Sequence, residues 1–160
     1  MVDRFERFSF AINEITRCWH RIAGDEMNKH GLKGPYSVYF TTLFRHPRGL
    51  TSAQLTELCG RDKAEVSRTI SLLESKGLVT REAVGNSAYR ALLRLTQEGF
   101  ALAEVINQKA ALAVEMVSQG LAPENRAIFY ETLELITNNL QTLSKQGIPD
   151  TEVKEKHTHD

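Results

Sequence analysis

The sequence predicts a mainly α fold with one small β-hairpin (α+β), and three observations carry that expectation. Apolar residues recur at helical spacing over most of the chain. Two helix-start signals, Thr51-Ser52-Ala53-Gln54 and Asp62-Lys63-Ala64-Glu65, stand close together with a glycine between them. Beyond the second helix the period changes to strand-like alternation on either side of Gly85-Asn86.

The elements follow in order. Phe5 to about His30 reads as one long helix with Phe8, Ile12, Ile15, Trp19 and Ile22 on one side, and the breakers of HGLKGP end it. Tyr36 to Arg45 is a second helix, stopped by His46-Pro47-Arg48-Gly49. Thr51 and Gln54 fit a capping box, in which each side chain satisfies a backbone N–H at the helix start; that helix runs to about Cys59. After the Gly60 turn, Asp62 caps a helix to Lys76, with Glu65 at its third position and Gly77 as its left-handed stop. Val66, Ile70 and Leu73 give this helix an apolar stripe expected to pack on Leu55 and Leu58. Leu78–Arg81 and Tyr89–Leu95 are β-prone, and Gly85-Asn86 suits a two-residue hairpin turn. Thr96 caps a helix to about Gln119, and Pro123 opens a last one to about Lys145. Two capped helices across a tight turn, followed by a hairpin, make a winged helix-turn-helix. The expectation is a single domain over 1–146, with the helix-turn-helix at 51–77, the wing at 78–95, dimerisation helices at 5–30 and 97–145, and a polar tail at 147–160.

Charge narrows the function. The 160 residues carry 20 Lys/Arg and 20 Asp/Glu, a formal net charge of zero. Its distribution is uneven: +1 over residues 1–44, +4 over 45–94 and −5 over 95–160. Contact with a polyanion therefore belongs to the middle segment. No apolar run reaches the roughly 18 residues of a membrane span, and MVDRFERFSF lacks the apolar core of a signal peptide, so a cytoplasmic protein is expected. Cys18 and Cys59 stand outside any metal-binding spacing and are expected as free thiols in the core; no metal or cofactor is expected. No glycine-rich phosphate loop, H-E-x-x-H or G-x-S-x-G occurs, and His20, His30, His46, His157 and His159 form no catalytic set, so no enzyme is expected.

Opposite its apolar stripe, the second helix of the pair presents Lys63, Ser67, Arg68 and Ser71, with Ala64 and Glu65 near its exposed N-terminal end. A helix fits the major groove of DNA, and residues near its N-terminus reach base edges. Short Ala64 and Ser67 allow close approach, Arg68 can donate twice to guanine, and Glu65 can accept from cytosine. Thr51 and Ser52 lie at a helix N-terminus, which attracts phosphate. Asn86 and Ser87 form the hairpin tip, and Arg90 on the return strand suits the minor groove or the backbone more than Arg81 does; the alternative for both arginines is a surface pair with Glu82 or neighbouring acids. The helices after the wing are apolar on most sides, which calls for a homodimer; two-fold symmetry would set two reading helices about 34 Å apart on a pseudo-palindromic operator. Trp19, Met27, Tyr36 and Tyr39 suit either an apolar effector cleft or plain core. Cys18 is a candidate oxidation sensor. A winged helix serving only protein–protein contacts is the alternative, and it requires an apolar outer face on the reading helix.

The segments GLTSAQLTELCGRDKAEVSRTISLLESKGLVTRE and YRALLRLTQEG resemble the MarR family of bacterial transcriptional regulators, and the order of elements over about residues 5–145 does so too. The resemblance implies sequence-specific binding of double-stranded DNA, more often as a repressor, by a homodimer whose interface uses helices from both chain ends. It implies release by a small ligand or by oxidation. Many members carry an acidic and two basic residues on the wing, where this chain reads NSAYR with Arg90 the only cation.

Overall fold

A computed structural model of the protein describes residues 3–84 and 87–148. In chain order the elements are α1 (Arg4–Asn28), a 3-10 turn (Gly34–Tyr36), α2 (Ser37–Arg45), α3 (Ser52–Cys59), α4 (Lys63–Ser75), β1 (Val79–Val84), β2 (Ser87–Leu95), α5 (Gln97–Val117) and α6 (Pro123–Gln146). The helices, turn and hairpin expected from sequence are all present, with β1 and β2 longer than the β-prone runs suggested. Asn86, His157 and His159 lie outside the described residues. No helix among the described residues is long and apolar enough to cross a membrane.

Local chemistry sets the helix boundaries. The Thr51 hydroxyl accepts from the Gln54 N–H at 3.3 Å, and the Gln54 side-chain oxygen accepts from the Thr51 N–H at 2.9 Å, completing the capping box. Asp62 accepts from the Glu65 N–H at 2.8 Å. Gly60 ends α3 at φ 60°, and Gly77 follows α4 at φ 70°, backbone angles that side chains with a Cβ resist. Thr96 closes the junction between hairpin and α5: its hydroxyl accepts from the Gly99 N–H at 3.0 Å and donates to the Gly77 carbonyl at 2.6 Å.

The strands pair antiparallel, Val79 opposite Leu95 and Arg81 opposite Leu93, with an irregularity between Glu82 and Val84. Val84 pairs with Ser87, so the link between them is two residues long. Leu50 adds a short bridge to Leu93 on the outer edge of β2.

The core lies under the helix-turn-helix. Tyr39, Phe40 and Leu43 of α2, Leu55 of α3, Val66, Ile70 and Leu73 of α4, and Val79 and Leu93 of the hairpin are buried together. Leu58 is not among them: although it follows Leu55 by three residues, it lies at the edge of that face near the end of α3 and is 52% exposed. The cysteines also depart from expectation. Cys59 is half-buried, but Cys18 is exposed on α1, with its Sγ 3.5 Å from a Glu14 carboxylate oxygen. The chain groups into two compact units that divide between Val114 and Glu115. In the second, the Arg126 guanidinium pairs with Glu115 at 3.2 Å.

Candidate nucleic-acid interface

α4 has two unlike sides. Val66, Thr69, Ile70 and Leu73 are buried, whereas Lys63, Ala64, Ser67, Arg68 and Ser71 are exposed. At about 100° per residue the exposed five fall within an arc of about 140°. Among the described residues neither Lys63 nor Arg68 has an ion-pair partner, so both charges face solvent. Glu65 differs from its neighbours. It is half-buried, with a carboxylate oxygen 3.8 Å from Nε of Arg61, and it sits at the flank of the polar face rather than on it. Arg61, in the turn, did not stand out in the sequence because its partner is on the following helix turn.

Two polar side-chain atoms lie in the packing beneath α4. Tyr39 of α2 is fully buried, its hydroxyl beside Thr69 of α4 but without a hydrogen-bond partner, and burial pushes its pKa up. The Cys59 thiol of α3 lies 3.6 Å from the Thr42 hydroxyl of α2, and burial raises its pKa as well.

At the start of α3, Thr51 and Ser52 are half-buried. The Thr51 hydroxyl is committed to the capping box, accepting from one N–H and donating to Gln54 Oε1 at 3.1 Å. Ser52 has its carbonyl engaged by the Thr56 hydroxyl at 2.7 Å. On the wing, Ser87 and Arg90 are described as backbone within β2. Arg81 does not pair with Glu82: its guanidinium meets both oxygens of Glu74 on α4, at 3.2 Å each. Glu82 instead meets Arg94 at 2.8 Å.

A separate cavity of about 880 Å³ opens among α1, α2 and α5. Trp19, Ile22, Met27, Val38, Phe44 and Ile106 supply much of its wall, and Glu26, Lys29 and Asn107 contribute polar groups. The Glu26 carboxylate lies 2.7 Å from the Lys29 ammonium, which holds its pKa below the usual range. The Asn107 side-chain nitrogen is buried without a hydrogen-bond partner. Of the four residues expected in a cleft, Trp19 and Met27 line this cavity. Tyr39 and Tyr36 do not: Tyr39 turns into the helix-turn-helix core, and Tyr36 packs half-buried against it. Val38, Thr41 and Phe44 on the opposite side of α2 take that wall instead.

Residues 30–88 match the family model described as MarR family. Solved structures of similar fold include a protein assigned to the MarR family from Listeria monocytogenes, complexed with a 26-mer DNA. It is 20% identical, with a TM-score of 0.77 and coverage of 94% of this chain and 99% of that one. The S. aureus MepR–DNA complex is 19% identical, with a TM-score of 0.74 over 83% of this chain and 97% of the other. A MarR transcriptional regulator from Methanosarcina mazei Go1 is 21% identical, with a TM-score of 0.77 over 89% and 94%.

Proposed function

We propose that this chain, whose residues 30–88 match the MarR family model, binds double-stranded DNA sequence-specifically as a homodimer and regulates transcription, acting as a repressor in the cytoplasm without catalysing a reaction. The observation that carries this reading is α4. Its inner stripe is buried, and its outer face exposes Lys63 and Arg68, with short Ala64, Ser67 and Ser71 between them. A protein-docking helix would need an apolar outer face, and this one is polar. Lys63 contacts phosphate; Arg68 reads a guanine edge, with Ala64, Ser67 and Ser71 setting the approach distance. Glu65 acts through Arg61 or on a base at the margin of the footprint. Ser52 and the free N–H groups at the start of α3 receive a phosphate, while Thr51 keeps that helix end in shape. Asn86, Ser87 and Arg90 belong to the wing contact.

The dimer reading is supported by apolar side chains left in solvent on all three long helices: Phe5, Phe10 and Ile15 on α1, Leu112 and Met116 on α5, and Ile128, Leu133 and Leu135 on α6. The effector reading is supported by the cavity beside Trp19 and Met27, whose apolar wall and unsatisfied Asn107 amide suit a small, largely apolar molecule with a hydrogen-bond acceptor.

Selection of bound fragments from the source genome, followed by gel shift at several salt concentrations, tests the function. Steep salt dependence with a preferred sequence is expected. Absence of binding to any fragment in dilute buffer rejects it. Trp19 is the single tryptophan, so its fluorescence reports directly on small molecules entering the cavity.

A further inference from the structure

We propose that Arg94 and Arg81 are positioning residues: two guanidinium struts that fasten the wing from opposite faces of the hairpin, Arg94 to the loop leading into α3 and Arg81 to α4, without touching DNA phosphate. The proposal rests on the DNA-binding reading above.

The register sets the geometry. Thr80 lies opposite Arg94 and Glu82 opposite Leu92, so Glu82 and Arg94 share one face, while Arg81, opposite Leu93, occupies the other. From the first face Arg94 reaches far back along the chain. Its Nε donates to the Arg48 carbonyl at 3.0 Å, and its Nη1 lies 2.8 Å from Glu82 Oε2. From the second face Arg81 makes its two-pronged contact with Glu74 of α4. A planar guanidinium holds its donors in a rigid fork that reaches two separated acceptors in one plane, a geometry that the compact ammonium of lysine does not reproduce.

The loop beside Arg94 is shaped to receive it. Gly49 has φ +90°, and a Cβ there would lie 2.9 Å from Arg94 Cγ and 3.1 Å from Leu92 Cβ, so the arginine stem fills the place of a side chain. Leu50 exchanges backbone hydrogen bonds with Leu93 at 3.1 and 2.8 Å, and the following residue is the N-cap Thr51. The start of α3 and the hairpin, which are the two segments assigned to the sugar-phosphate backbone, are thereby held in one frame, with Arg81 tying that frame to the reading helix.

A strut and a phosphate contact leave different signatures. Removing a phosphate contact lowers the salt slope of binding by about one, whereas removing a strut weakens binding at constant slope. The full-length protein is titrated onto a selected genomic fragment over a KCl series, well below its melting temperature. Arg94→Lys, Arg94→Met and Arg81→Lys should each weaken binding by about three- to tenfold with the wild-type slope, as expected for loss of charged hydrogen bonds. Glu82→Gln should do so more mildly, and Lys63→Met should reduce the slope. Gly49→Ala supplies a second route, since it displaces Arg94 while leaving both arginines present, and it should weaken binding at the same slope. Wild-type affinity in Arg94→Lys or in folded Gly49→Ala overturns the proposal. So does a slope in Arg94→Met or Arg81→Lys that falls as far as in Lys63→Met, or an effect confined to melting temperature. If wild type itself binds no fragment, the DNA-binding reading fails first and takes the struts with it; the other outcomes leave that reading standing.

Discussion

α4 and α6 are both amphipathic helices, yet their apolar residues meet different fates. α4 has 13 residues and buries Val66, Thr69, Ile70 and Leu73. α6 has 24 and buries none, and Ile128 and Leu135 are each 60% exposed. The stripe of α4 has its complement, Tyr39, Leu55 and Leu93, within the same chain. Periodicity identifies the apolar side of a helix in both cases, but what covers that side is a separate question. For α4 the answer is intramolecular, and a folding experiment reports on it. For α6 the proposed answer is a second copy, and an association experiment does.

The largest expected effect breaks the intramolecular side. Leu73→Ala removes a fully buried side chain at the centre of the core, and should cost about 2–5 kcal/mol of unfolding free energy in a denaturant titration. A loss under 1 kcal/mol would mean that α4 is held by something other than its stripe. Next, Ile128→Asp combined with Leu135→Asp should convert a sedimenting dimer to monomer, and wild type should melt at a temperature that rises with protein concentration. If the double variant sediments like wild type, α6 is not the covered face. On the outer side of α4, Arg68→Ala should leave the melting curve in place, cost about 1–3 kcal/mol in operator binding and relax preference at one base pair. Equal affinity for the selected operator would remove Arg68 from the readout. The smallest effect concerns the thiols. At neutral pH iodoacetamide should alkylate exposed Cys18 well before Cys59, whose thiol is held protonated by burial and should react appreciably only as pH rises. Equal rates would mean that α3 opens readily from α2.

How much of this was legible beforehand follows from range. Thr51 with Gln54, Asp62 with the Glu65 N–H, and Gly60 and Gly77 act within three or four residues, so their chemistry could be read directly from spacing. The side chains exposed on α4 were legible for the same reason, since one helix face is fixed once the other is known. Leu58 and Cys18 misled because helical period says which way a residue points relative to its neighbours, without saying whether anything lies opposite. Tyr39 misled in the opposite sense: α2 is walled on both sides, and an aromatic residue fits either. The Arg94–Glu82–Arg48 contact was invisible, since it joins residues 46 apart and depends on a strand register that alternation alone does not specify. Glu65 was placed correctly at the start of its helix, but its half-burial against Arg61 needed the turn in three dimensions.

One close approach has a mechanical consequence. Gly99, in the first turn of α5, lies so near the Leu78 carbonyl at the root of the hairpin that a Cβ at position 99 would fall on that oxygen. The Leu78 carbonyl also accepts the Thr96 N–H at 3.1 Å. With no side chain between them to act as a cushion, the foot of the long helix and the foot of the hairpin are welded. A methyl group at position 99 would pry the two feet apart.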